Sequence, residues 1–502
     1  MKKENKILLL LALFCLLVVL FIELTSPAVL YRDPYMYRHL EAAQFISDKE
    51  RINVVEEDLI ETSFVGWQLD IKGFSFFPAA TVYINYKNPV FFFVPVLSAV
   101  VFSFLSGLDI YFLFNHFFFL ILISGLCFFV LFRELFDDSK LALGLSLIAV
   151  LFPFETLYYK ISLHGWPFVR IFSALSLYFM VKLLKSGFSF KSKNFFLMAV
   201  FLFLGAYSDK SGFALVLVPA LLFFVLFFFF SRKKVHLNKQ SLNLFFLTVF
   251  FVFFMAFVAL YHDLFRISQG IIFNLLELNF IPSFLHPAVP YSEFYLKKDF
   301  WYLLIRYALP FSAVFLLLAF NLRKIKEFFC GNEIKKSFLF SQILFYFFVA
   351  VPMLFSFYFT SSSAATWIFF FLCVVSFTGL LQMKKTFSRH FLTALFFLFV
   401  LIIPLLFFTQ APQYKYEQFS QKHLASIEWV QENLEKNSFI YSDVKMAKAV
   451  SLETDVIAVN PSYEFVALME NYIIPVYFDS NVEKVLQAFR EQNINYLLLT
   501  KE

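Results

Sequence analysis

The sequence predicts a mainly α, polytopic transmembrane helix bundle of about eleven spans plus a re-entrant or interfacial helix, followed by a small C-terminal α/β domain. Three observations predict it. Of the 502 residues 60% are hydrophobic and only 16% charged, too little polar surface for a soluble fold of this length. The 81 Phe residues gather in runs such as 117–119 and 227–230, where a helix is apolar on every side. After Pro412 the composition turns: residues 413–502 hold 8 of the 42 Lys+Arg but 13 of the 36 Asp+Glu, so the part before them carries the basic surplus behind the net charge of +6. A basic surplus on an apolar chain suits anionic membrane lipid, and it points away from nucleic acid. Cys15, Cys127 and Cys373 fall in apolar spans and Cys330 in a basic loop, a pattern that predicts neither disulfides nor a zinc site.

A span needs ~20 mainly apolar residues. The stretches that meet or approach this are 7–24, 110–132, 141–157, 166–184, 194–208, 211–230, 242–262, 301–320, 337–358, 364–382 and 390–410. The first reads as an uncleaved anchor, since no small-residue cleavage site follows Leu24. Lys2, Lys3 and Lys6 place the N-terminus in the cytoplasm, because Lys and Arg resist translocation. The basic loops 133–140, 182–193, 231–239, 323–336 and 384–389 fall on the same side if the apolar stretch 89–106 does not cross. That stretch is therefore read as re-entrant or interfacial. The membrane domain is then 1–412, with a long first outer loop at 25–109, and 413–502 is extracytoplasmic.

Within the tail the pattern reads helix (418–435), strand (439–442), short helix, strand (456–459), helix, strand (473–477), helix (481–492) and strand (496–499). It holds no Gly-rich phosphate loop, so it is not a nucleotide site.

Chemistry-bearing residues cluster at the outer ends of the spans. Asp33 precedes Pro34, a pairing suited to starting a helix, and the same carboxylate at the mouth of a bundle is placed to act as a general base. The second outer loop carries Glu155, Lys160 and His164, which are costly against lipid and so belong either to a polar loop or to a cavity. Lys210, in the turn Asp209-Lys210-Ser211-Gly212, is either a snorkelling lysine paired with Asp209 or a point charge for a phosphate. Arg170, four residues into a span, calls for an anionic partner such as a lipid phosphate, Glu155 or Asp209.

Taken in order, the first 230 or so residues resemble the GT-C type membrane glycosyltransferases, which use a polyprenyl- or dolichyl-phosphate sugar donor. That superfamily includes aminoarabinose transferases, protein O-mannosyltransferases and oligosaccharyltransferase catalytic subunits. The likeness rests on Asp33-Pro34-Tyr35 after the anchor, a proline-led stretch from Tyr86-Lys87-Asn88-Pro89 to Leu105-Ser106-Gly107, Phe132-Arg133-Glu134-Leu135-Phe136 between two spans, Pro153, and Asp209-Lys210-Ser211-Gly212 with Pro219 beyond. The resemblance implies transfer of a sugar to a glycan, lipid or protein acceptor at the outer face of the plasma membrane, in a multi-pass protein. It implies Asp33 as base or metal-bound carboxylate, with Glu155 and His164 beside it as catalytic candidates, and Lys210 with Arg170 on the donor phosphate. A divalent cation, Mg or Mn, is the one cofactor it leaves open. The sequence departs from the pattern at His164-Gly165-Trp166, where several branches carry acids, and the tail has no Trp-Trp-Asp motif. A lipid-linked sugar transporter or flippase, and a non-catalytic scaffold of the same fold, are the alternatives.

Overall fold

A computed structural model describes residues 3–25, 93–151, 165–186, 193–206, 218–231, 309–345, 372–382, 386–402, 421–435, 438–441, 456–459 and 496–497, with a few single positions between them, and all structural statements here concern these residues. They divide into two compact units. The first comprises 1–25, 91–95 and 116–415, and the second 26–90, 96–115 and 416–502.

The first unit is helical. Its elements are α1 (Lys3–Thr25), then, after α2 (Phe93–Ser106) and α3 (Ile110–His116), α4 (Phe119–Phe136), α5 (Ser139–Leu151), α6 (Gly165–Lys185), α7 (Lys193–Ala206), α8 (Val218–Ser231), α9 (Leu309–Cys330), α10 (Glu333–Phe345), α11 (Leu372–Leu381) and α12 (Thr386–Phe397), which ends in a wide π turn at Leu398–Ile402. Three stretches, Asn5–Leu24, Phe119–Phe136 and Pro167–Lys185, are long and apolar enough to cross a membrane. Membrane association follows from them, and from α1 in particular. Leu11, Cys15, Val18 and Ile22 are buried on one side of α1, while Leu9, Leu13, Leu16, Leu17 and Leu20 lie exposed on the other. An exposed leucine stripe of that length is unfavourable in water and favourable in lipid.

Helix α4 packs on α5, α6 packs on both α4 and α7, and α8 packs on α10. The α4–α5 junction is two residues long, and its chemistry explains the sharp reversal. Asp137 takes the left-handed conformation (φ 60°) and donates its N–H to the Arg133 carbonyl at 2.9 Å, closing α4. Asp138 then accepts from the Lys140 and Leu141 amides at 2.8 and 3.2 Å, capping α5. Asn332 does the same for α10, accepting from Ile334 N–H at 2.8 Å.

Two glycines let helices approach. A Cβ on Gly144 of α5 would stand 2.2 Å from the buried Phe377 ring of α11, and one on Gly379 would stand 2.6 Å from Ile325 of α9. Ser376 ties α11 to α9 as well, donating to the Val314 carbonyl at 3.2 Å.

The apolar periodicity misplaces two boundaries. The stretch 110–132, read as one span, is two helices, α3 and α4, separated at Phe117 and Phe118, where Phe118 N–H turns back to the His116 carbonyl at 2.9 Å. The basic stretch 323–336, read as a loop, is helical almost throughout, because α9 continues to Cys330 and α10 begins at Glu333. Exposed Arg323 and Glu327, 3.1 Å apart one turn along, favour that continuation.

In the second unit, α13 (Gln421–Asn433) precedes β1 (Phe439–Tyr441), β2 (Ile457–Val459) and β3 (Tyr496–Leu497). These strands form a parallel sheet in the order β2-β1-β3, with Ile440 opposite both Ala458 and Tyr496. Parallel neighbours require crossover connections. Ile440 and Val456 in or beside the strands, and Ile427 and Val430 on α13, are buried. The expected strand at 473–477 lies outside the described residues.

Candidate functional site

The charged residues of the first unit sort by end. At one end Lys185, in the last turn of α6, pairs with Asp137 at 2.8 Å and Glu134 at 3.4 Å and donates to the Glu134 carbonyl, fastening α6 to α4. Lys335 of α10 reaches the Phe136 carbonyl at 3.5 Å and sits 4.2 Å from the centre of the Phe328 ring. Burial pushes the Lys335 pKa below the ordinary lysine value, and the nearby Asp137 opposes that shift. Lys336 lies 4.1 Å from the Phe230 ring centre, at the close of α8. The ends of α4, α6, α8 and α9 and the starts of α5 and α10 thus form one basic face.

The other end is reached by following the helices away from it. Fifteen residues separate Arg170 from Lys185, which is about 22 Å of helix. Arg170 is only 5% exposed. Its Nη2 donates to the Ala149 carbonyl, and its guanidinium carbon stands 5.5 Å from the centre of the Phe128 ring. The Ala149 carbonyl lies in the last turn of α5, where carbonyls have no acceptor role left within the helix, so Arg170 caps α5 and its charge meets the negative end of the dipole. The ring of Phe128 supplies a further attraction. Arg170 Nε, however, is buried and without a hydrogen-bond partner among the described residues. Leaving such a donor unmade costs about 1–3 kcal/mol, more for a charged group. An anion offered to this edge of the guanidinium would recover it.

The sequence calls for an anionic partner to Arg170, a lipid phosphate, Glu155 or Asp209, and both of those acids lie outside the described residues. Among the described residues its contacts are a carbonyl and an aromatic face. Asp33, Glu155, His164 and Lys210 lie outside the described residues. The helices that bracket their segments are described, and all leave from the Arg170 end. Leu151 and Gly165 flank the segment with Glu155 and His164. Val150 and Leu11 converge where a Cβ on Gly125 would be, so the end of α5 sits beside α1 and α4. Helix α7 runs back along α6 through the stacked pairs Phe172–Phe201 and Phe179–Phe201 to Ser208, the last described residue before Asp209. Ser208 is buried and donates to the Leu204 carbonyl at 2.6 Å.

The same end holds a pair that the sequence reading passed over. Glu23, in the last turn of α1, and His116 Nδ1, just before α4, stand 3.3 Å apart, each about a quarter exposed. The signal was available, since an ionisable residue inside an apolar run is costly unless partnered. It was hidden because 110–132 read as one unbroken span. The pair also fixes a topological fact: α1 ends and α4 begins at one end of the first unit.

Among the described residues no three His, Cys, Asp or Glu side chains are grouped to hold a metal ion. The candidate carboxylates Asp33 and Glu155 lie outside that set, so the divalent-cation expectation stays with them. No protein-family model matches the chain, and no curated protein matches it.

Proposed function

We propose that this chain is a multi-pass plasma-membrane glycosyltransferase that moves a sugar from a polyprenyl-phosphate donor to a glycan, lipid or protein acceptor. In this reading the basic face is cytoplasmic and the Arg170 end faces outward, as the excess of Lys and Arg at one end favours. The bundle has about eleven spans, counting the apolar stretches of near-span length. The tail, 413–502, is a small extracytoplasmic α/β domain.

The observation that carries the reading is the buried Arg170 guanidinium, its Nε donor unmet among the described residues, at the end where the helices flanking the segments of Asp33, Glu155, His164 and Lys210 terminate. A fixed cation in a water-poor site suits charge that grows during reaction. The chemistry follows in one displacement. Asp33 takes the acceptor's proton, the freed oxygen or nitrogen lone pair bonds to the anomeric carbon, and the bond from that carbon to the phosphate oxygen breaks. The lipid phosphate leaves with the electron pair, and Arg170 and Lys210 offset its charge. Inversion at the sugar is the expected outcome. Glu155 and His164 are then the remaining groups to orient the acceptor or to hold a divalent cation.

The test is Asp33→Asn in the full chain, assayed in vesicles with a radiolabelled donor. Loss of a general base lowers the rate by about 10²–10⁴-fold. A fully active Asp33→Asn protein removes Asp33 from the mechanism.

A further inference from the structure

We infer that the basic end of the first unit carries a site for one anionic phospholipid, with the headgroup phosphate on Lys336 and an acyl chain along the exposed stripe of α8 and α10 beneath it. The site lies at the opposite end from Arg170, and it rests on membrane embedding and not on sugar transfer.

Three lysines of this end keep different company. Lys185 has two carboxylates, Asp137 at 2.8 Å and Glu134 at 3.4 Å. Lys335 rests against the Phe328 ring and lies within the field of Asp137 and Asp138. Lys336 has an aromatic face alone: its Nζ stands 4.1 Å from the centre of the Phe230 ring, and among the described residues no carboxylate pairs with it. Glu333, the acid nearest to it along α10, has an interaction of its own. An ammonium has three donors and no acceptor, and a ring face attracts it from one side only. A lysine held in this way keeps its remaining donors for an anion.

The surface next to Lys336 is that of a lipid's partner, cationic at the helix end and apolar behind it. Lys336, Phe340 and Ile343 recur one and two turns apart on one face of α10, while Ile334, Phe338, Ser341 and Phe345 are buried on the other. Phe340 is 38% and Ile343 43% exposed. On α8, which packs on α10, Val225 and Phe229 are exposed one turn apart, and Phe230 closes the seam between the helices with its ring centre 5.5 Å from that of Phe340. From Lys336 to Ile343 is about 10 Å of helix, which fits inside one leaflet of a hydrocarbon core about 30 Å thick. The sequence beyond α8 adds charge of the same sign, since Arg232, Lys233 and Lys234 follow Ser231 and no Asp or Glu occurs before Asp263. A soluble phosphate would make no use of the exposed stripe, and a zwitterionic lipid would bring a cation of its own to a basic surface. An anionic phospholipid uses both features.

The experiment counts lipids bound to the purified full-length chain by native mass spectrometry, titrating in turn palmitoyl-oleoyl phosphatidylglycerol and the phosphatidylcholine of the same chains. The first phosphatidylglycerol is expected to bind at least about fivefold more tightly than the first phosphatidylcholine, the weight of one lysine near an anionic headgroup. Lys336→Met is expected to lower that ratio about fivefold with the unfolding temperature unchanged, and Lys336→Arg to keep it. Lys140→Met, which removes the same charge from an exposed position at the start of α5 on the same basic face, is expected to leave the ratio as it is. Equal binding of the two lipids by the native chain would overturn the inference. So would equal losses from Lys336→Met and Lys140→Met, which would mean attraction by net charge without a site. Excess glycerol 3-phosphate, which offers the phosphate without the chains, is expected not to compete; if it displaces phosphatidylglycerol, the site is one for soluble phosphate and the assignment to a lipid falls.

Discussion

The two ends of the helical unit handle charge in opposite ways. At the basic end Lys185 has Asp137 and Glu134, Lys335 has a carbonyl and a ring, and Asp138 and Asn332 cap the helices that start there. At the other end Arg170 is more deeply buried than any of these, and among the described residues its Nε has no hydrogen-bond partner. Helix packing explains the first arrangement, because paired charges at helix termini fix register at little cost. It does not explain the second, since a well-packed apolar residue in place of a half-met buried ion is often neutral or stabilising. The contrast teaches where to look for function, namely at the end whose buried cation keeps a donor unmet among the described residues.

The contrast can be broken most directly at Arg170. Replacing it with Met removes one charged hydrogen bond worth about 1.5–3 kcal/mol, a loss of roughly 10–150-fold in kcat/KM for sugar transfer. Thermal unfolding in detergent should shift by no more than about 1 kcal/mol, since losing the cap on α5 is offset by removing a buried ion. Arg170→Lys should fail to restore transfer, because an ammonium lacks the guanidinium's planar set of donors. A strong loss of stability with no change in transfer would make Arg170 a structural cap and nothing more.

A smaller effect probes the wall between the two ends. Gly144→Ala would press a methyl into the Phe377 ring, which is itself held against Phe396 and Phe397 at ring-centre distances of 5.6 and 5.5 Å. Overpacking of this kind costs about 1–3 kcal/mol, readable as a lower unfolding temperature, and Phe377→Leu in the same chain should recover most of it. The smallest effect belongs to the basic end. Lys185→Met should change stability by less than about 1 kcal/mol, because the side chains of this pair are partly solvated, and the difference should vanish at high salt.

How legible the molecule was in its sequence depends on what kind of signal each feature leaves. Helices α6 and α7 lie within a few residues of the apolar stretches that predict them, because length and composition suffice to mark a helix in lipid. The break between α3 and α4 was not legible. It falls among consecutive phenylalanines, where an all-apolar surface leaves no periodicity to interrupt. The close approach of α5 and α11 was also hidden, since Gly144 inside a helix has no local signature of the partner it admits. Of the site, Arg170 could be picked out as a cation inside a span. Its capping of Ala149 and its contact with Phe128 arise from tertiary packing that no spacing rule encodes.

The account is tested most directly by following the lipid product. Purified full-length protein in vesicles, given a polyprenyl-phosphate sugar labelled in both the lipid and the sugar together with a membrane extract as acceptor source, should release free polyprenyl phosphate. Arg170→Met should slow that release by at least about tenfold, in line with loss of a charged hydrogen bond. Donor that crosses the bilayer with its sugar still attached, or release at the same rate from the Arg170→Met protein, would contradict it.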